Sequence, residues 1–141
     1  MKRLFYDEKW CLNCHLCEYA CAFANSDLKS MTKLKGKKIT PNVRVEGNNK
    51  CSYASSCRQC QDPVCVKSCI SGALHIEDGV AVIDHEKCIN CLTCVMVCPY
   101  GAVVTNEDYQ VNKCELCTKN QSGTPACAKA CPNRAIVFEE R

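Results

Sequence analysis

The chain has 141 residues and a formal charge of +3, and 17 of its residues are cysteine, about 12%, above the level that marks a cysteine scaffold. Leu, Ile, Val and Phe together make up roughly a fifth of it, near the floor for a core that offsets chain ordering unaided. This composition excludes a conventional oily interior, and no run approaches the roughly 20 apolar residues that a membrane span requires.

In chain order, Leu4 to Tyr6 is the first β-prone run. Met1 to Trp10 is charged and carries no apolar stretch, so no secretion signal is expected. Lys2-Arg3 is the nearest approach to a twin-arginine signal, and no hydrophobic segment follows it. The expected location is the reducing cytoplasm, where dense cysteine means metal rather than disulfides. The first motif is Cys11-x2-Cys14-x2-Cys17-x3-Cys21, with a helix expected over Glu18 to Asn25. Lys29 to Lys38, KSMTKLKGKK, holds five lysines. It reads as a solvated loop, the alternative being a docking patch for an acidic redox partner. Cys51 stands outside every motif. It reads as a half-buried free thiol, the alternative being a redox or interface thiol.

The second motif is Cys57-x2-Cys60-x4-Cys65-x3-Cys69. Two short β-prone runs follow, within Ser71 to Ile76 and over Val80 to Ile83, around Glu77-Asp78-Gly79, whose Asp-Gly turn is a strong hairpin signal. The third motif is Cys88-x2-Cys91-x2-Cys94-x3-Cys98 before Pro99, with a helix expected over Val95 to Val97. Ala102 to Thr105 and Tyr109 to Val111 form a second expected hairpin. The fourth motif is Cys114-x2-Cys117-x9-Cys127-x3-Cys131 before Pro132. Ala135 to Phe138 is expected to pair with Leu4 to Tyr6 as terminal strands, and short helices are expected after each third cysteine.

Four repeats of one spacing decide the chemistry. A C-x2-C-x2-C run wraps three thiolates around one iron–sulfur cubane, and the cysteine that comes after three more residues points away to ligate the other cluster of a pair. Motifs therefore work in pairs, and an even number of quartets fits. A lone C-x-x-C is weak evidence, and zinc sites use pairs of cysteines with long spacers between them. A structural zinc module is the rival of another class. An enzyme with a substrate-binding cluster needs a quartet short of one cysteine, and all four here are complete. The formal +3 counts cysteine as neutral. Four clusters of net −2 bring the loaded chain to about −5, which argues against nucleic acid as a partner.

With these residues in view, Cys69 to Ala102, CISGALHIEDGVAVIDHEKCINCLTCVMVCPYGA, resembles a bacterial two-cluster ferredoxin. Cys11 to Cys131 resembles the four-cluster ferredoxin-like electron-transfer subunits of molybdenum or tungsten enzymes, hydrogenases, formate dehydrogenases and CO dehydrogenases. The blocks CRQCQDPVCVKSCISGAL, CVMVCPYGA and CPNRAIVFEER look most like the iron–sulfur subunit associated with CO dehydrogenase. The chain departs from many larger relatives in lacking long insertions.

The resemblance implies an α+β fold of two interleaved ferredoxin-like lobes, with short hairpins and helices around four [4Fe–4S] clusters, all in one unit over residues 1–141. Motifs 11–21 and 114–131 form the outer lobe, and 57–69 and 88–98 the inner one. It implies that Cys11, Cys14 and Cys17 share a cluster with Cys131, and Cys114, Cys117 and Cys127 share one with Cys21. Likewise Cys57, Cys60 and Cys65 go with Cys98, and Cys88, Cys91 and Cys94 with Cys69.

The expected function is electron transfer, one electron at a time, between a catalytic oxidoreductase subunit and an acceptor protein. CO dehydrogenase is the favoured catalytic partner. The alternatives are a tungsten or molybdenum aldehyde or formate oxidoreductase, and a hydrogenase. No catalytic constellation stands out. His15 either tunes a cluster by hydrogen bonding or fills space beside one. Trp10 either shields a cluster from water or is ordinary packing. His75 and His85 read as surface residues.

Overall fold

A computed structural model describes residues 1–120 and 122–141. Its strands are β1 (Arg3–Tyr6), β2 (Arg44–Gly47), β3 (Ser52–Ser55), β4 (Leu74–Glu77), β5 (Val80–Ile83), β6 (Val103–Thr105), β7 (Val111–Lys113) and β8 (Ile136–Glu139). The helices are α1 (Leu16–Ala24), α2 (Val64–Lys67), α3 (Thr93–Val97) and α4 (Ala126–Ala130), with a 3₁₀ turn at Met31–Leu34. Four two-stranded antiparallel ladders result: β1 with β8, β2 with β3, β4 with β5 and β6 with β7. The fold is α+β. Every helix is far too short to persist alone, and a two-stranded ladder is marginal by itself, so packing must hold both.

The hairpin expected around Asp78-Gly79 forms, with its first strand starting at Leu74 rather than Ser71, in the register Leu74↔Ile83 to Glu77↔Val80. Asp78 (φ 50) and Gly79 (φ 81) both sit in the left-handed region, as the two central residues of a tight hairpin turn require. All of β5 is buried, whereas β4 buries only Leu74, so this ladder lies over the interior by one strand. The terminal pair also forms, Leu4 opposite Phe138 and Tyr6 opposite Ile136.

Four expectations shift. The helices begin one residue before each third cysteine rather than after it, so Cys17, Cys65, Cys94 and Cys127 lie in the first turns of α1 to α4. In the second hairpin Tyr109 has φ 58 and belongs to the turn. Asn106 closes that turn on Gln110 by backbone and side-chain hydrogen bonds, which moves the returning strand to Val111–Lys113. The β2–β3 hairpin has no counterpart among the expected elements, because its strands carry Gly and Ser and have only two buried apolar positions, Val45 and Ala54. Cys51 is exposed rather than half-buried: it sits in the β2–β3 connection, where Asn48 Oδ1 accepts from the Lys50 and Cys51 amides.

The interior is three small apolar clusters, each containing sulfur. Cys17, Cys21 and Cys127 pack with Val43, Val45, Ala54 and Ile136. Cys94 packs with Leu74, Ile83, Val103 and Val111. Cys114 packs with Val80, Val82 and Leu116, against Leu4 and Phe138. Helix α1 packs on α4, and α2 on α3. The protein thus has an α1–α4 half and an α2–α3 half, and the third apolar cluster lies where β5, β1, β8 and the fourth motif meet.

Candidate metal centres

The backbone of the motifs repeats. The residue before the second cysteine lies at positive φ in all four: Asn13, Gln59, Asn90 and Leu116, between 48° and 56°. His15 and Leu92 repeat it at φ 59 and 60 as the residues that cap α1 and α3. A left-handed non-glycine residue costs about 1–2 kcal/mol, and such strain persists where the surroundings over-determine it. Alternating right- and left-handed residues turn successive amides to one side and make a nest for an anion. Motifs two and four use another device for the third cysteine: Pro63 and Pro125 cap α2 and α4, placing Cys65 and Cys127 at the second helical residue.

Each fourth cysteine accepts a backbone hydrogen bond on sulfur. The donors are the amides of Asn42 to Cys21 Sγ (3.3 Å), Leu74 to Cys69 (3.4 Å), Ala102 to Cys98 (3.4 Å) and Ala135 to Cys131 (3.2 Å). A hydrogen bond of this kind favours thiolate over thiol.

The thiols gather across motifs. Cys11, Cys14 and Cys17 line one apolar cavity with Cys131. Cys88, Cys91 and Cys94 line another with Cys69. Cys114, Cys117 and Cys127 lie close enough to Cys21 that their charges act on one another. Cys57 and Cys98 act on Cys65 in the same way, while Cys60 is exposed on the loop after Gln59. Among the described residues no three His, Cys, Asp or Glu side chains converge as one metal ion requires. A cubane, with irons at separate corners, takes sulfurs that stand further apart than the ligands of one zinc. All-thiol donor sets, amide nests and hydrogen-bonded sulfurs suit an anionic iron–sulfur cage.

Burial differs between sites. It pushes the Cys17 and Cys114 thiols up to about 12 and raises Cys21 and Cys127 as well. Burial also raises Cys65 and Cys94. At Cys69 burial is outweighed by hydrogen bonds from the Leu74 amide and the Ser71 hydroxyl, and the net shift is down. Cys91 is lowered by the Thr93 hydroxyl.

Around the thiols, His15 lines the cavity of Cys11, Cys14, Cys17 and Cys131. Its Nδ1 is 2.9 Å from Glu18, whose other oxygen accepts the Val45 amide, so the ring is held by a carboxylate. Trp10 is 56% exposed and lines a surface cavity with Arg3, Tyr53 and Arg58. The five lysines of Lys29 to Lys38 are exposed, as are His75 and His85. Leu34 is buried beneath the lysine segment, and Lys38 pairs with Glu107. Sequence reading missed four polar groups near the thiols, Ser56, Gln59 and Lys113 buried and Tyr6 half-buried. The Tyr6 hydroxyl bonds Ser56, and Gln59 and Lys113 bridge β5 to the fourth motif. The signal for Lys113 was its place two residues after the inward Val111 on a short strand.

Repeated thiol cages on short helices and hairpins define an iron–sulfur protein. Residues 48–141 match the family described as a 4Fe-4S dicluster domain, and the chain belongs to that family. The match holds motifs two to four; motif one precedes it. The chain is 32% identical over 151 residues to the electron transport protein HydN of Escherichia coli K12, covering 96% of this chain and 86% of that one. It is 36% identical over 147 residues to an iron-sulfur protein of Rhodospirillum rubrum (89% and 75%). It is 36% identical over 149 residues to the B subunit of the anaerobic dimethyl sulfoxide reductase of E. coli K12 (95% and 71%). The protein is therefore an iron–sulfur electron-transfer protein that binds multiple [4Fe–4S] clusters. No helix among the described residues is long and apolar enough to cross a membrane.

Proposed function

We propose that the protein holds four [4Fe–4S] clusters on sixteen cysteines and relays single electrons between a catalytic oxidoreductase in the cytoplasm and an acceptor protein. The ligand sets are Cys11, Cys14, Cys17 with Cys131; Cys114, Cys117, Cys127 with Cys21; Cys57, Cys60, Cys65 with Cys98; and Cys88, Cys91, Cys94 with Cys69. The first two sets form an outer lobe and the last two an inner one. What carries the reading is that the fourth cysteine of each motif lies beside the thiols of a different motif and accepts an amide on its sulfur.

When bound, each cluster accepts and releases one electron. The chain's own residues set how readily. Amides aimed at Cys21, Cys69, Cys98 and Cys131 stabilise negative charge on sulfur. Val45, Ala54 and Ile136 keep water from one cage, and Leu74, Ile83 and Val111 from another. The exposed Cys14, Cys60 and Cys91 leave an edge of three cages open to partners.

For the catalytic partner we favour CO dehydrogenase, on the sequence blocks at 57–74, 94–102 and 131–141. The similarity to a subunit named for dimethyl sulfoxide reductase supports the second reading, a molybdenum or tungsten oxidoreductase. An anaerobic pull-down from the native source, read with metal analysis, separates them. Nickel with the captured partner supports the first, and molybdenum or tungsten the second. An anaerobic preparation that is colourless, iron-free and folded overturns the whole proposal.

A further inference from the structure

Lys113 is 2% exposed and is the one buried lysine or arginine among the described residues. It lies on β7 two residues after Val111, so both share the inward face of the strand. Its Nζ donates to the carbonyls of Ala81 (2.5 Å) and Cys114 (3.0 Å). Gln59 ties the same two residues, accepting from the Ala81 amide and donating to the Cys114 carbonyl. Carbonyls answer its hydrogen bonds but not its charge. A buried ammonium persists only where an opposite charge compensates it, and no described carboxylate pairs with Lys113. Two sulfur sites flank it. It adjoins Cys114 in the sequence, and Val111, on the same face of β7, belongs to the apolar cluster against which Cys65 and Cys98 pack, so its charge also opposes the rise that burial imposes on Cys65.

We propose that Lys113 is the buried counter-charge of the two clusters at the junction of the halves, and that it raises their reduction potentials relative to the two end clusters. This rests on the ligand sets proposed above: the junction sites are those of Cys57, Cys60, Cys65, Cys98 and of Cys21, Cys114, Cys117, Cys127. Reduction adds one negative charge beside Lys113 and removes one at the neighbouring site that gave the electron, with no proton required. A fixed cation favours the more negative state, so an electron crossing between halves rests at the junction.

The test is a redox titration of the whole loaded protein, read by electron paramagnetic resonance, on Lys113→Gln and Lys113→Met beside the native protein. Iron analysis of the native protein first checks that four clusters are present, so failure of the ligand reading is seen separately. Two of the four midpoints are expected to fall. At the potential where the native junction sites are half reduced, the reduced-to-oxidised ratio should drop at least tenfold, about 59 mV for one electron. Lys119→Gln, which removes a solvent-screened charge near Cys117, should shift neither by as much. Four unmoved midpoints, or shifts confined to the end sites, overturn the proposal. If both neutral variants lose clusters while Lys113→Arg keeps them, the charge is required for assembly, and the proposal stands if the two junction midpoints of Lys113→Arg lie above those of the end sites and falls if they do not. If Lys113→Arg loses them too, it falls.

Discussion

The two halves write one local code and complete it differently. In the α2–α3 half both fourth cysteines find their amide donors nearby, at Leu74 and Ala102, four or five residues along. In the α1–α4 half Cys131 does the same through Ala135, but Cys21 takes its amide from Asn42, after the lysine-rich excursion. Asn25 adds a side-chain donor to that sulfur. Burial follows the same division: Cys17, Cys21, Cys114 and Cys127 are buried, while the other half buries only Cys94. A short return is enough where the backbone turns back in a hairpin. Where it does not, a long loop must be held in place to supply one hydrogen bond, and deeper packing accompanies it.

The largest effect should come from breaking the cross-motif pairing. Cys21→Ala and Cys114→Ala should each lose the same cluster, and the double variant should lose no more. Iron analysis reads this, and additive losses would show that the two thiols serve different cages. Next is pH. Thiols must lose protons to bind metal, so protons compete hardest where burial has raised the thiol. As pH falls, reconstitution should fail first at the sites of Cys17 and of Cys21, Cys114 and Cys127. It should fail later at the site of Cys69 and Cys91, where two thiols are shifted down and one, Cys94, is raised by burial. Spectra of protein reconstituted across a pH series would show the order, and a reversed order would remove burial as the cause.

Val43 and Val111 are each 1% exposed, one in each half. Val43→Ala and Val111→Ala should each cost about 2 kcal/mol through the cavity left behind. Thermal bleaching should then show each change weakening its own half first, and equal weakening of both halves would mean that the halves melt as one. Asn42→Pro removes the amide that reaches Cys21. It should lower the potential of one site by no more than the about 1.5–3 kcal/mol of a hydrogen bond to a charged group. An unchanged potential would mean that Asn25 alone suffices. The smallest effect is expected at Cys51, exposed outside every thiol group: Cys51→Ser should leave iron content unchanged.

The lysine-rich segment was legible as exposed loop, because five lysines in ten residues cannot be packed. Its consequence for Cys21 was not legible, since the returning Asn42 lies 21 residues away. The β4–β5 hairpin was legible from Asp78-Gly79, whose backbone needs are local. The β2–β3 hairpin was not: Arg44–Gly47 and Ser52–Ser55 have weak strand preference, and the ladder stands because Val45 and Ala54 reach the sulfur-bearing cluster beneath.

By itself the sequence determined the metal chemistry and the local wrap of each motif, because cysteine spacing and short-range backbone conformation are written within a few residues. The tertiary structure alone decided which amide reaches each fourth sulfur, how deeply each thiol is buried, and that Lys113 is buried on the carbonyls of Ala81 and Cys114. Those depend on where distant segments pack, and electrostatics in a protein interior depends on distance and on exclusion of water, neither of which spacing along the sequence records.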